Sequence, residues 1–416
     1  MTFVGIDLGT SGCRAIAINA DEMVLADTRI SYTNNQAQTP ELWWQSTLQV
    51  LKTLIPKLPE PHIDAICVDG TSSSLLLCSP SGSPKSPVMM YFDNAPTDCL
   101  DKITAHSPVD AVVNSTSSSL AKAIKLSEQA SNPYIILHQA DWVIGKLCNV
   151  WQSDENNALK LGYDPLNRQW PDWIGHILPN DSLPVVLPPG EPLQTLTAAL
   201  TTELKLLSPP MVCSGTADST AAFIATGAKN KGDAVTSLGS TLVTKILSDH
   251  PINQPDLGVY SHRLNEHWIV GGSSNTGGKV LQQHFSNHDI VGLSRQIKPN
   301  TPTKLDYYPL PSIGERFPSN NPQKQPILSP KPCDPVIFLQ GILEGITNIE
   351  AEGYQLLHKL GCPQAQRIFT VGGGSKNMAW TQIREQKLQL TMATPKHSEA
   401  AFGTAILAKN GWQKSL

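Results

Sequence analysis

The sequence has no surplus of positive charge: 31 Lys and Arg stand against 35 Asp and Glu in 416 residues, a formal net charge of −4. An ordinary nucleic-acid binder needs a basic face for the phosphates, so that class is excluded. There is no Cys-x-x-Cys pair. The eight cysteines, at 13, 67, 78, 99, 148, 213, 333 and 362, are scattered, which excludes zinc ribbons, thioredoxin-type chemistry and a dense disulfide framework and points to a reducing cytoplasm. No run approaches the roughly 18 uninterrupted apolar residues of a membrane span; the longest, such as Leu75–Cys78, are strand-sized. The stretch Met1–Asp7 lacks the basic n-region of a signal peptide and reads as a strand. Fixed-period repeats, charge runs and a G-x-x-x-x-G-K-[ST] phosphate loop are all missing. These absences leave a soluble protein, and at roughly 150 residues per domain the length predicts about two to three domains.

Proline and glycine supply the punctuation. Two proline-rich stretches, Leu178–Pro192 and Pro302–Pro335, cannot be helix or central strand and read as long surface connections or linkers. The opening Phe3–Asp7 and Cys13–Ile18 read as two β runs around a Gly/Thr/Ser turn, with a third over Met23–Ile30. Thr39-Pro40-Glu41 supplies a cap, a first-position proline and a first-turn acid, and Trp44, Leu48, Leu51 and Ile55 follow at helical spacing. Ile63–Asp69 is a buried-strand pattern that delivers Gly70-Thr71-Ser72-Ser73 at its carboxyl end. Further on, Pro210–Asp218 reads as a strand before a helix over Ser219–Gly227, Ala234–Ile246 as a second hairpin, and Pro335–Leu360 as a periodic helix. Arg367–Val371 reads as a strand running into a triple glycine, and Ala400–Trp412 as a last helix.

The turn Asp7-Leu8-Gly9-Thr10-Ser11-Gly12 has the makings of a phosphate site: glycine admits backbone N–H groups close to an anion, hydroxyls add donors, and a carboxylate can hold a hydrated Mg²⁺. Alone the pattern is weak and reads first as a structural hairpin. The second such turn, Gly239-Ser240-Thr241, and Gly372-Gly373-Gly374 near the far end suggest two halves that clamp a nucleotide between them. His284 and His288, four apart, lack a third ligand at metal spacing and read as a surface pair. Arg384 and Lys387 read as a solvated helix face, and the tryptophans as core or interface filler.

Taken in order, these residues resemble the FGGY carbohydrate kinases of the actin and heat-shock ATPase superfamily, nearly end to end. Besides Gly5–Ser11, the resemblance includes Asp141-Trp142 through Gly145 to Asp154–Ala158, Cys213–Asp218, Gly314-Glu315-Arg316-Phe317-Pro318, Gln340–Ile346 and Val371–Asn377. It implies a two-domain α/β protein of actin-like, ribonuclease H-like domains, each a mixed sheet flanked by helices, with the active cleft between them. Residues 1–225 would form the sugar-binding domain and 226–416 the nucleotide-binding domain, the last helix crossing back to the first. ATP and Mg²⁺ are the implied cofactors. Asp218 is the implied general base, with a helix-capping role as its alternative; Asp7 would hold Mg²⁺. Gly9, Thr10, Ser11, Gly239, Ser240 and Thr241 would cradle phosphates, and Gly372, Gly373, Gly374 and Asn377 would border the adenosine.

For the sugar, the same resemblance points to Thr71, Ser72, Asp93 and Asp218, with Trp43 or Trp44 as an apolar wall. Here the chain departs from xylulokinases, which usually carry Gln-Met-His-Gly where this sequence has Thr71-Ser72-Ser73-Ser74, and an arginine where it has Asn94-Ala95. Small hydroxyls after an aspartate are closer to the ribulokinase side, so D-ribulose is the expected ketopentose and D-xylulose the alternative. Two rivals stay open: a nucleotide-dependent switch or pseudokinase of the same fold, and a hydrolase using Asp69 and Asp93. Neither nucleic acid nor membrane is an expected partner, and monomer and homodimer remain equally open.

Overall fold

The computed structural model describes residues 1–33 and 36–416. The chain divides into two units, one of Met1–Ala225, His262–Asn265 and Glu399–Leu416, the other of Thr226–Ser261 and Glu266–Ser398.

The first unit opens with β1 (Phe3–Leu8), β2 (Gly12–Ile18), β3 (Val24–Ser31), helix α1 (Pro40–Leu54) and β4 (Ala65–Gly70). Next come β5 (Leu75–Cys78), α2 (Thr97–Thr104), α3 (Ser119–Ser127), β6 (Ile135–His138), α4 (Gln139–Cys148), β7 (Ser153–Asp154) and α5 (Glu155–Ala158). The segment closes through β8 (Val186–Leu187), β9 (Pro192–Thr195), α6 (Ala198–Glu203), β10 (Met211–Cys213), β11 (Thr216–Ala217) and α7 (Asp218–Ala225). Its main sheet runs β3-β2-β1-β4-β10-β9, with β11 also on β4. The first three strands form an antiparallel meander, whereas β1, β4, β10 and β11 are parallel.

Local signals explain the elements. The Thr39 hydroxyl accepts the Leu42 N–H, and Pro40 and Glu41 open α1, as the capping pattern predicts. The buried face of α1 is carried by Trp43, Thr47, Val50 and Leu54; Trp44 is half-buried beneath the Lys146 ammonium, 5.1 Å from its ring. Trp43 therefore belongs to the core, edge-on to Trp142, and is no wall of a sugar site.

The second unit contains β12 (Asp233–Leu238), β13 (Leu242–Ser248), β14 (Val259–Leu264), β15 (His267–Ser274), α8 (Gly278–His284), α9 (Asn287–Ser294), α10 (Pro335–Lys359), β16 (Arg367–Val371), α11 (Met378–Leu388) and β17 (Thr391–Ala393). Its sheet, β14-β15-β13-β12-β16-β17, repeats the plan of antiparallel strands followed by parallel ones. On α10, Leu343, Ile346, Ile349 and Leu357 are buried as the periodicity predicts, while Ile337 is exposed.

Two expectations are corrected here, and one is met. Arg384 is wholly buried, its guanidinium paired with Glu350 through two bonds of 2.7 Å and donating to Thr370 at 2.7 Å. Thr236 donates to the same Glu350, so one ionic knot ties β12, β16, α10 and α11. His284 and His288 are both exposed, as expected of a surface pair, the first ending α8 and the second in the first turn of α9. The second proline-rich stretch is no free linker: Tyr307, Leu310 and Phe317 are buried, and the Glu315 carboxylate accepts from Ser274 (2.6 Å) and the Asn275 N–H (2.7 Å).

The final helix, α12 (Ala400–Lys414), belongs to the first unit. It lies so close to β1 and α7 that a Cβ on Gly5 would come within 2.1 Å of the Ala401 carbonyl, and one on Gly403 within 1.9 Å of that of Ala221. Among the described residues no helix is long and apolar enough to cross a membrane.

Candidate active site

Ligands of open α/β sheets gather at the carboxyl ends of parallel strands, and there the first unit collects its acids. Asp7 on β1 stands opposite Asp69 on β4, Asp69 opposite Thr216 on β11, and Asp218 follows β11 directly as the first residue of α7. Asp69 is fully buried; its Oδ2 accepts from Thr404 of α12, while Oδ1 has no donor partner. Burial, then the charge of Asp218, raises the Asp7 carboxyl from 3.8 to about 6. Burial and Asp7 push Asp69 well above the usual carboxylate range. Two carboxylates this close share a proton instead of both ionising. A divalent cation resolves the same repulsion, and hard carboxylate oxygens, one of them orphaned, suit Mg²⁺. The Asp218 carboxylate accepts the Ser219 N–H at 2.6 Å, which ties it to the helix start.

The turn 71–74 leaves β4 just after Asp69, and it is joined to the turn that carries Asp93. The Ser74 hydroxyl accepts from Tyr91 N–H (3.0 Å), and Asp93 Oδ2 accepts from Met90 N–H (2.7 Å), so the turns 71–74 and 90–93 form one rim. Thr71 is committed to the fold: its N–H and hydroxyl both reach Gln139 Oε1, at 2.9 and 2.8 Å. A backbone N–H only donates, which fixes the orientation of that amide and leaves Gln139 Nε2 buried without a partner. Ser72 Oγ and Ser73 Oγ are likewise buried and unpartnered, and Ser73 sits in the left-handed region at φ 65°. Of the two expected hydroxyls, then, that of Thr71 is tied to Gln139 and Ser74, and that of Ser72 has no hydrogen-bond partner.

Lys122, Gln139 and Thr404 escape sequence reading because what they touch is distant in the chain. Lys122 alone leaves a trace, since it lies three residues after Ser119 and four before Leu126, both on the buried face of α3.

The two glycine turns are hairpins, as expected. In the first, Gly9 N–H reaches the Gly12 carbonyl at 3.0 Å and leaves Thr10 and Ser11 exposed. In the second unit, Gly239 N–H bonds to the Thr241 carbonyl (3.2 Å), and α8 begins directly on this turn, Gly278 N–H donating to the Gly239 carbonyl (2.8 Å). Gly277 is required there: its φ is 141°, and a Cβ would fall 2.7 Å from Thr241 C.

Beside this turn opens a cavity of about 820 Å³, bounded by Gly239, Ser240, Ile290, Gly373, Asn377 and Trp380, with Arg295 and Lys376 at its wall. Its size and mixed lining suit a nucleoside. Gly373 and Gly374 line it; Gly372 and Thr241 support it without lining it, Gly372 at φ 85° against the Leu238 carbonyl. Asn377 caps α11 through the Trp380 N–H and donates to Ser294 at 2.9 Å, so it shapes the wall with both ends of its amide engaged.

The chain is similar to known proteins over nearly its whole length. The N-terminal domain model of the FGGY family of carbohydrate kinases matches residues 2–225, and the C-terminal domain model matches residues 234–412. The xylulose kinase of Escherichia coli is 24% identical over 98% of this chain and 89% of its own length. Gluconokinase of Bacillus subtilis is 21% identical over 97% of the chain and 86% of its own. In fold, the solved xyloylose kinase of Brucella ovis superimposes with a TM-score of 0.88 at 20% identity, over 100% of this chain and 91% of that one. With both domain models matched along almost its whole length, the chain belongs to the FGGY family of carbohydrate kinases.

Proposed function

We propose that this carbohydrate kinase moves the γ-phosphoryl group of ATP to a hydroxyl of a ketopentose, with Asp218 as general base. The observation that carries the reading is the convergence of Asp7, Asp69 and Asp218 at the carboxyl ends of parallel strands, beside buried hydroxyls without partners. Asp218 takes the proton of the attacking hydroxyl as its oxygen bonds to the γ-phosphorus and the bond to the β-phosphate oxygen breaks, releasing ADP. Asp7, backed by Asp69, would hold Mg²⁺, which when bound neutralises charge on the phosphate oxygens. Gly9, Thr10 and Ser11 in one unit and Gly239, Ser240 and Thr241 in the other offer N–H and hydroxyl donors to phosphates, and the cavity bounded by Gly373, Gly374 and Asn377 takes the adenosine.

D-Xylulose is the better supported substrate, because xylulose kinases predominate among the similar proteins; the expected preference for D-ribulose has no such support. D-Ribulose remains a second reading on one observation: Ser72 and Ser73 leave two buried hydroxyls unpartnered where xylulokinases usually place a bulkier Met-His pair. Stranding one polar group separates the epimers by about 1–3 kcal/mol, roughly tenfold to a hundredfold. ADP release across ketoses, aldoses and polyols tests the class, and kcat/KM for the two ketopentoses decides the epimer. Asp218→Asn should stay folded and lose at least ~100-fold in turnover. Near-normal turnover removes Asp218 as the base.

A further inference from the structure

Lys122 is a cation sealed inside the first unit. It has no exposed surface, and its Nζ donates to the Ser73 carbonyl at 2.9 Å and the Met90 carbonyl at 2.7 Å. Among the described residues it forms no salt bridge, and the charge that favours its ammonium form is that of Asp93, which burial outweighs. An ammonium in such a place is costly, because neutral carbonyl dipoles replace its hydration only in part. A methionine has similar length and volume without that cost, so packing alone gives no reason for a charge here.

The two acceptors supply the reason. Ser73 belongs to the turn that follows β4, and its left-handed backbone is one a serine adopts only under constraint. The Met90 carbonyl also accepts the Asp93 N–H, at 2.9 Å, and so anchors the turn that carries Asp93. One ammonium therefore joins the two segments that form the rim, at the points where each must hold its shape. On this rim lie Ser72 Oγ and Ser73 Oγ, buried and unpartnered. An ammonium has three protons, and the two carbonyls use two of them.

We propose that Lys122 is the positioning residue of the sugar site: it clamps the turns 71–74 and 90–93 together and so holds Ser72 and Asp93 in the geometry that a ketose requires. This rests on the reading of that rim as the sugar site. Any loss should fall on the sugar and spare the nucleotide, whose cavity is built from the other unit.

The test is steady-state kinetics and thermal melting of the full chain carrying Lys122→Met, with Lys122→Gln as a milder neutral replacement. Both should raise the KM for the preferred ketopentose at least tenfold and leave the KM for ATP within twofold. A folded variant with an unchanged ketose KM overturns the proposal, as does an equal rise in both constants. If neither variant folds, the lysine serves the fold and not the sugar, and the proposal falls. Failure of the underlying reading looks different: the natural protein itself would then release no ADP in response to a ketopentose.

Discussion

Replacing Asp7 by asparagine should make the protein more stable and almost inactive. Asp7 is raised from 3.8 to about 6, first by burial and then by the charge of Asp218. At 1.36 kcal/mol per tenfold, that rise is worth about 3 kcal/mol. The folded state holds this proton more tightly than the unfolded chain does. The group's contribution is therefore fully present below pH 3.8, is lost as pH rises through about 6, and stays lost above. Asparagine never ionises, and its amide offers a donor to the neighbouring Asp69 carboxyl. In urea titrations with chelator present, Asp7→Asn should gain up to about 3 kcal/mol over the natural protein at pH 7.5 and almost nothing at pH 4. In parallel, ADP release should fall severely, with excess Mg²⁺ recovering little, because a fixed ligand supplies position as well as charge. A variant no more stable at pH 7.5, or an advantage that does not grow with pH, refutes the electrostatic argument; full activity removes the first hairpin from the site.

Two further substitutions examine the second unit. A Cβ on Gly373 meets nothing within 4 Å, so Gly373→Val should fold normally yet intrude on the cavity, raising the KM for ATP at least tenfold while the ketose KM stays within twofold; an unchanged ATP KM takes Gly373 out of the nucleotide wall. Arg384→Met leaves the Glu350 carboxylate buried without its partner and should cost about 3–5 kcal/mol in urea unfolding, most of it recovered in the Arg384→Met/Glu350→Leu double variant. A loss below about 1 kcal/mol would show that the ionic knot does not hold the four elements together.

What the sequence discloses about this fold is what neighbouring residues decide among themselves. Thr39-Pro40-Glu41 starts a helix by local capping, and both glycine hairpins follow from turn chemistry between apolar runs, so these elements stand where they were expected. Arg384 shows the opposite case. In the run Arg384-Glu385-Gln386-Lys387 it has the surroundings of a solvated face, and only the carboxylate of Glu350, 34 positions earlier, makes its burial tolerable. Trp43 and Trp44 are adjacent and alike in composition, yet a rotation of one residue about the helix puts the first in the core and the second at its edge.

The site obeys the same division, with a sharper consequence. Chemistry there depends on which polar atoms remain unpaired once the fold has satisfied its own needs, and that remainder is non-local. Thr71 and Ser72 are equivalent as neighbouring hydroxyls after a strand. Gln139, 68 positions away, engages Thr71 through both its N–H and its hydroxyl, whereas nothing engages the Ser72 hydroxyl. Asp69 follows the same logic: Thr404, from a distant helix, satisfies one oxygen and leaves the other without a partner, while burial and the charge of Asp7 raise its pKa. A binding residue is thus distinguished from a structural one by a hydrogen bond it fails to receive, and no pattern of residue types along a strand records a bond that is missing.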